Sequence, residues 1–178
     1  MSGFTLRRAE VKDASRIAHV HVRAWQETYR GLMPDSVLDT LSVERRMKQW
    51  EQILEGTANL YHLVFVAEAD GQVVGFANYG KEREGDPDYQ GELFAIYILK
   101  EFQGQGIGRA LVQKAALGLL EMDISSMLVW VLSNNPYRKF YERLNGQYLR
   151  EKSIQIGDSV LQEAAYGWRD VRILLGQG

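Results

Sequence analysis

The segment Gln103-Gly-Gln-Gly106-Ile-Gly108 has the residue spacing that most directly indicates chemistry. It follows an apolar run typical of a strand, and the residues after it have helical spacing. Glycine lets a backbone approach a ligand closely, and the first N–H groups of a helix point outward with the positive end of the helix dipole behind them. The segment therefore predicts a binding site for a phosphate or pyrophosphate group.

Two common phosphate loops do not fit this segment. A Walker loop ends in Gly-Lys-Ser or Gly-Lys-Thr, whereas Arg109 and Ala110 follow Gly108. The dinucleotide-binding fingerprint requires a third glycine where Arg109 stands. A plain strand-to-helix turn is the remaining alternative, but three glycines in five residues exceed what such a turn requires. The sequence therefore disfavours a nucleotide-binding regulator. The prediction of a phosphate-binding site at this segment still holds.

A second motif lies about 30 residues downstream, where Asn134 precedes the run Phe140-Tyr141-Glu142-Arg143-Leu144. Together with Gln103-x-x-Gly106-x-Gly108, this motif resembles the two signatures of the GNAT superfamily of N-acetyltransferases, in their usual order. The order of strands and helices from Phe4 to Trp168 is also similar to that family, so the resemblance covers nearly the whole chain. Two positions depart from the family pattern. Tyr137 stands where a small residue is frequent and could reshape the pocket, and Asn145 stands in place of a glycine, where we expect a left-handed helix cap.

The resemblance implies acetyl-CoA as cosubstrate, with no metal. The backbone amides that cradle its pyrophosphate are those of Gln103, Gly104, Gln105, Gly106, Ile107 and Gly108. The strand residues whose backbone pairs with the pantetheine arm are Ile96, Tyr97 and Ile98, and the Ile98 amide holds the thioester carbonyl. By the same resemblance, the Asn134 side chain contacts the amide or acetyl end of the cofactor, and the Tyr141 hydroxyl lies near the thioester sulfur.

Amide formation from a thioester needs a neutral amine, an oxyanion stabiliser and a proton donor for the departing thiolate. A tyrosine has a reference pKa of about 10 and is protonated at neutral pH, so Tyr141 can donate; the alternative is a core aromatic beside Phe140. Glu92 is the candidate base, acting directly or through water, although glutamates at strand edges are usually just solvated. His19 and His21 lie two apart on a helix and cannot share a face, and His21 is more typical of a core histidine than of a base.

The acceptor side of the cleft is expected from the first third of the chain. Trp25 and Tyr29 lie one helical turn apart and could wall an amine pocket, with Glu27 and Asp35 as cation partners; such a stripe can also be plain core. The run from Trp25 to Pro34 weakly resembles a GNAT branch that includes bacterial polyamine acetyltransferases. We therefore expect substrate contacts from Trp25, Tyr29 and Glu92.

The elements that position these residues follow from apolar periodicity and turn signals. The predicted strands are 4–6, 61–69, 72–79, 92–99, 127–132, 146–156 and 159–168; the predicted helices are 13–29, 43–54 with Ser42 as N-cap, one from Ile107, and one near Pro136 with Asn135 as N-cap. The helix from Ile107 is a crossover that makes strands 92–99 and 127–132 parallel. The resemblance further implies that these two strands splay apart, within a single α/β (α+β) GNAT-type domain over residues 1–178. Its sheet is mixed, mostly antiparallel, of about seven strands, and flanked by helices.

Composition limits the partners and the compartment. The chain of 178 residues has no cysteine, which excludes disulfides, thiolate metal sites and cysteine nucleophiles. Its net charge of −2 provides no basic field for nucleic acid or anionic lipid. We find neither a signal-peptide pattern nor a membrane-spanning apolar run, and expect a cytoplasmic protein without nucleic-acid or membrane partners. A homodimer is compatible with the sequence, which leaves the oligomeric state open.

The leading prediction is an N-acetyltransferase, an acyltransferase that moves the acetyl group of acetyl-CoA directly to a primary amine of a small molecule. One alternative is a CoA-binding sensor or assembly domain without transferase activity, and another is a peptide or protein N-acetyltransferase. Asn134 and Tyr141 favour an enzyme over a binding domain, because CoA binding alone needs only the glycine-rich loop. The acceptor and the acyl-chain preference stay open.

Overall fold

The computed structural model describes residues 3–56 and 62–176. Within them the strands are β1 Phe4–Arg8, β2 Leu63–Ala69, β3 Gln72–Lys81, β4 Gly91–Ile98, β5 Met127–Leu132, β6 Gln147–Ile156 and β7 Ser159–Trp168. The helices are α1 Ala14–Tyr29, α2 Asp35–Asp39, α3 Val43–Glu55, α4 Ile107–Glu121 and α5 Arg138–Arg143. These bounds confirm the predicted elements to within a few residues, and the predicted strand start at Tyr61 lies outside the described residues.

Local signals account for several element ends. Ser42 caps α3, because its side chain accepts a hydrogen bond from the Arg45 backbone N–H at 3.3 Å. Asp70 and Gly71 join β2 to β3 with φ angles of 51° and 76°, as a tight hairpin turn requires. The prediction for Asn135 needs correction: its side chain accepts from the Tyr137 N–H at 2.8 Å in a separate turn, and α5 begins only at Arg138.

The seven strands form one sheet in the order β1-β2-β3-β4-β5-β7-β6. All neighbours are antiparallel except β4 and β5, which confirms the parallel pair predicted from the crossover helix. The β4–β5 register extends only from Gly91↔Met127 to Leu93↔Val129, so the two strands separate beyond these residues. This confirms the splayed arrangement.

Two local features set the start and the extent of this opening. Gly91 packs so closely on the segment before β5 that a Cβ at this position would lie 2.7 Å from the Ser126 carbonyl oxygen. Farther along, Tyr79 pairs with Leu93 but Asn78 pairs with Ala95, so Phe94 is an extra residue that forms a bulge in β4. A bulge bends its strand. The glycine therefore holds β4 against β5 at one end, and the bulge turns β4 away at the other.

Helices cover both faces of the sheet. On one face α4 buries Leu111, Ala115 and Leu119 in the larger apolar cluster. On the other face α1 and α3 pack together, and Ile17 and Trp50 join a second cluster with strands β2 and β3. No helix among the described residues is both long and apolar enough to cross a membrane.

Candidate active site

Two cavities lie along the opening between β4 and β5. The first, which we call the loop cavity, has a volume of about 480 Å³ and lies between the glycine-rich segment and α5. The second, which we call the sheet cavity, has a volume of about 720 Å³ and is lined by α1 and strands β4 to β7. Four residues line both cavities: Ile96, Tyr97, Asn135 and Tyr141. We call these four residues the junction.

The glycine-rich segment has the backbone of an anion site. Gly104 and Gly106 have φ angles of 76° and 86°, which favour glycine, and a Cβ on either would meet no atom within 4 Å. The first helical bond of α4 runs from the Ala110 N–H to the Gly106 carbonyl at 3.1 Å, so the helix itself leaves the N–H groups of Ile107 and Gly108 unused. Such groups at the positive end of a helix suit a phosphate.

The two glutamines of the segment have separate positions. Gln103 lines the loop cavity, and its side-chain amide donates to the Ile98 carbonyl at 3.0 Å, which ties the segment to the end of β4. The Gln105 side chain is exposed and contacts the Glu101 carbonyl at 3.5 Å, outside the cavity lining. Gly108 lies beneath Phe140, because a Cβ there would approach the ring to 3.1 Å. This close packing seats α5 against α4.

Tyr141 is buried at the junction. The end of α5 is fixed by the Trp168 indole N–H, which donates to the Leu144 carbonyl at 2.8 Å, and by Asn145, whose φ of 63° confirms the expected left-handed cap. Burial raises the pKa of the Tyr141 hydroxyl well above its ordinary value, so the hydroxyl keeps its proton throughout the neutral range. Tyr141, which lines both cavities, thus carries a protonated hydroxyl.

Two more tyrosine hydroxyls lie in the same region. Tyr97 belongs to the junction, and the Tyr29 hydroxyl accepts a hydrogen bond from the Asn135 side-chain amide at 2.9 Å. Desolvation raises the pKa of both, and Tyr29, Tyr97 and Tyr141 influence one another electrostatically. The junction is therefore lined by neutral hydroxyl groups that can donate hydrogen bonds but carry no charge.

The structure does not bring Asn134 to either cavity. Its side-chain amide donates to the Leu32 carbonyl at 2.8 Å and is exposed, whereas the neighbouring Asn135 lines both cavities. Because Ser133 and Asn134 form a tight turn after β5, consecutive side chains point in different directions. Tyr137, one of the two residues that depart from the family pattern, lines the loop cavity beside Phe140.

Glu92 lies in the sheet cavity, but its carboxylate is already paired. The side chain is only 3% exposed, and Arg83 contacts one oxygen at 2.7 Å and the other at 3.3 Å. This two-pronged guanidinium contact engages both carboxylate oxygens of Glu92. The geometry therefore gives Glu92 a charge partner, which the sequence did not predict.

The aromatic pair of α1 lies where the sequence indicated. Trp25 and Tyr29 line the sheet cavity, with ring centroids 5.1 Å apart in an edge-on arrangement. The expected cation partners lie elsewhere: Glu27 pairs with Arg23 at 2.8 Å, and Asp35 pairs with Arg30 at 3.1 Å, both outside the cavity lining. Both carboxylates therefore form ion pairs with arginines at the surface, within α1 and just after it.

His21 is half-buried against the rings of Trp50 and Tyr97, which agrees with the sequence-based preference for a packed histidine over a base. It accepts a hydrogen bond from the Trp50 indole N–H at 3.3 Å and stacks on Tyr97, with ring centroids 5.1 Å apart. Burial, with a smaller contribution from the charge of Arg46, lowers the pKa of His21 to about 3. The imidazole is therefore neutral at physiological pH and supports the back of the Tyr97 ring.

Sequence analysis missed the contribution of the closing hairpin to the sheet cavity. Glu163 on β7 and Lys152 on β6 both line it, and Trp130 on β5 lies beneath the Lys152 ammonium, 4.1 Å from the ring centroid. One signal was available in β7, where period-two alternation places Glu163 on the same face as Leu161 and Ala165. A glutamate between two apolar residues on one strand face indicates a buried carboxylate.

Comparison with known proteins agrees with this geometry. The sequence model of the Acetyltransferase (GNAT) family matches residues 17–146. The chain is 39% identical over 172 residues to the uncharacterized N-acetyltransferase YuaI of Bacillus subtilis. This match covers 96% of this chain and 95% of YuaI.

Solved structures show the same fold. The PaiA N-acetyltransferase of Thermoplasma acidophilum in complex with coenzyme A has a TM-score of 0.71 at 19% identity, and the match covers 91% of this chain and 98% of PaiA. YncA of Salmonella typhimurium, a putative acetyltransferase with its cofactor acetyl-CoA, has a TM-score of 0.69 at 21% identity, with 94% of each chain covered. From the family match and the identity to YuaI, this chain belongs to the GNAT family of acetyltransferases.

Proposed function

We propose that this protein is an N-acetyltransferase that moves the acetyl group of acetyl-CoA directly to a primary amine of a small molecule. The observation that carries the proposal is the pair of cavities that share the buried residue Tyr141 in their lining. One cavity has an anion-binding backbone and the other has carboxylates and aromatic rings. A donor and an acceptor that enter from opposite sides can meet at the junction without leaving the protein.

The loop cavity suits the donor. A pyrophosphate fits the open backbone around Gly104, Gly106 and the start of α4. Residues Ile96 to Ile98 pair with β3 along one edge, and their other edge faces the gap left by β5, so an extended pantetheine arm can pair with it. The coenzyme A and acetyl-CoA in the PaiA and YncA structures support the same occupant here.

The sheet cavity suits a cationic amine. Trp25 and Tyr29 supply ring faces that can contact an ammonium, and buried carboxylates, Glu92 among them, supply negative charge. An amine held there faces the junction, where the thioester carbon arrives from the other side. The pocket is large enough for a molecule of several carbon atoms, which agrees with a small-molecule acceptor.

The reaction breaks one bond and forms another at the junction. The amine nitrogen attacks the thioester carbonyl carbon, the C–N bond forms, and the C–S bond then breaks with its electron pair going to sulfur. An ammonium acceptor gives up two protons, one before attack and one afterwards to the thiolate. We assign Tyr141 the hydrogen bond to the sulfur: its raised pKa makes full proton transfer from the hydroxyl uphill, so the proton that neutralises the thiolate comes from nitrogen overall.

A thiol-release screen tests this function. Purified protein with acetyl-CoA is offered polyamines, amino sugars, amino acids and short peptides with free amino termini, and free CoA is measured over time. We expect release with at least one small amine, well above the rate without acceptor. Release with peptides alone would contradict the small-molecule acceptor, and no release with any acceptor would favour a CoA-binding domain without transferase activity.

A further inference from the structure

The sheet cavity contains three carboxylates among its described lining residues, and they differ in how well they are neutralised. Glu92 has Arg83 at 2.7 Å, and Glu84 has the Lys152 ammonium at 2.6 Å. Among the described residues, the cation paired with Glu163 is the same Lys152 ammonium, at 3.6 Å, which is beyond hydrogen-bond distance. Glu163 is therefore the carboxylate whose charge is least compensated by its neighbours.

Lys152 is committed to other partners. Its ammonium lies at 2.6 Å from Glu84 and over the Trp130 ring at 4.1 Å from the centroid. With these contacts made, the ammonium is left at 3.6 Å from the Glu163 carboxylate, as an ion pair beyond hydrogen-bond distance. The Glu163 side chain is nevertheless only 12% exposed, so water solvates it poorly. A carboxylate in such surroundings favours an incoming cation.

The fold also brings Glu163 close to the junction. Strand β7 lies between β5 and β6, and Glu163 pairs in register with Leu132, the last residue of β5. Leu132 packs in one apolar cluster with Tyr29, whose hydroxyl is bonded to Asn135 of the junction. The negative charge of Glu163 is felt at this site, since it contributes to raising the pKa of Tyr29.

We propose that Glu163 receives the ammonium of the acceptor amine and takes the proton that must leave before attack. This inference rests on the proposed N-acetyltransferase function and names the base for it. The proton passes from the ammonium nitrogen to a carboxylate oxygen of Glu163 and then to water. The freed nitrogen lone pair attacks the thioester carbon, the C–S bond breaks, and the second proton of the nitrogen goes to the sulfur.

The protonation state of the amine makes such a base necessary. An alkylammonium has a pKa of about 10.4, so on the order of one molecule in a thousand is neutral near pH 7. Burial raises the pKa of Glu163, which makes it a stronger base than an exposed glutamate. The charged and titratable groups that line the cavity with it are Lys152 on β6, Arg83 and Glu84 in the β3–β4 loop, Glu92 on β4, Tyr29 on α1, Tyr97 on β4 and Tyr141 on α5. Lys152 lowers the pKa of Glu163, whereas Glu84 and Glu92 raise it.

The pH dependence of kcat/KM for Glu163→Gln tests the proposal, with 1,4-diaminobutane and spermidine as acceptors. Near neutral pH we expect kcat/KM to fall at least about 100-fold, the usual contribution of a general base. The deficit should shrink as the pH approaches the amine pKa, because the free amine needs no base. The acetyl-CoA Kd should not change. Glu151→Gln is the matched control: this exposed glutamate on β6 lines neither cavity and should keep wild-type kinetics.

Lys152→Met provides a second measurement that a purely structural role would not move. Removal of the ammonium raises the pKa of Glu163 further. The acidic limb of the pH profile of kcat/KM should therefore lie at higher pH in Lys152→Met than in the wild type. If Glu163→Gln keeps wild-type kcat/KM and the wild-type acidic limb, Glu163 is not the base, and the transferase function stands. If the wild-type protein binds acetyl-CoA but acetylates no amine of the wider panel, the proposed function fails, and this inference fails with it.

Discussion

Among single residues, Tyr141 has the central role in the proposed reaction. Tyr141 lies where the two cavities meet, and burial keeps it protonated. A phenylalanine in its place preserves the ring and its packing against Phe140 and Tyr166, and removes only the hydroxyl. We therefore predict that Tyr141→Phe lowers kcat at least about tenfold, as expected for an interaction made in the transition state.

The same variant should leave the acetyl-CoA Kd and the melting temperature nearly unchanged. Steady-state kinetics, calorimetry and thermal unfolding separate the three effects. Tyr79→Phe is a matched control, since Tyr79 is also buried but packs against α4 and lines neither cavity. Wild-type turnover by Tyr141→Phe would make Tyr141 a plain core aromatic.

Single residues also show the limit of sequence analysis. The spacing of Gln103, Gly106 and Gly108 is local, and all three residues line one cavity, whereas their contact with a cofactor stays a prediction. The choice between Asn134 and Asn135 depends on the course of one turn, which spacing does not determine. The Arg83 contact to Glu92 joins a loop to a strand, and neither motif contains the arginine.

At the scale of elements, the glycine-rich turn and α4 form one unit. Gly106 has a φ of 86° and open space where a Cβ would point. A valine there is strained by the backbone and projects into the space that a phosphate would occupy. We predict that Gly106→Val weakens acetyl-CoA binding by at least about tenfold, corresponding to about 1.4 kcal/mol, as measured by calorimetry.

Gly71→Val separates strain from blocked binding. Gly71 has a φ of 76° with open space around it, but it lies in the β2–β3 turn and lines neither cavity. Both variants should lose similar stability, whereas only Gly106→Val should lose affinity. Equal acetyl-CoA affinity in wild type and Gly106→Val would remove the phosphate site from this turn.

The elements themselves were largely predictable, because their signals are local. Ser42, the Asp70-Gly71 pair and the apolar run of β5 each act within a few residues, and the crossover helix fixed the parallel pair. The position of β7 between β5 and β6 depends on contacts far apart in the sequence. That position, rather than any motif, puts Glu163 and Lys152 into the sheet cavity.

At the scale of the whole molecule, the stability of the fold is linked to pH through His21. Its pKa is about 3 when folded, against an ordinary value of 6.5, so unfolding takes up a proton between these values. The contribution of His21 to the free energy of unfolding is therefore fully present above its ordinary pKa of 6.5. It declines as the pH falls towards 3, by about 1.4 kcal/mol per pH unit. His62, whose pKa is also lowered, adds a contribution of the same sign.

His21→Asn should remove this contribution while keeping an acceptor for the Trp50 indole. We predict that the free energy of unfolding falls by about 2 kcal/mol more in wild type than in the variant between about pH 7 and pH 5. Denaturant titrations at the two pH values measure this difference. Parallel losses in the two proteins would show that His21 is not buried as a neutral ring.

Across the whole molecule, the loop cavity and the sheet cavity meet at one opening in the sheet. We propose that the loop cavity holds the acetyl donor and the sheet cavity holds the acceptor. The most direct test is to follow the acetyl group itself: acetyl-CoA labelled in the acetyl group is incubated with the protein and the amine panel, and the products are analysed by mass spectrometry. We predict equal amounts of free CoA and of a labelled small-molecule amide. Tight binding of acetyl-CoA with the label left in the thioester for every acceptor would contradict it.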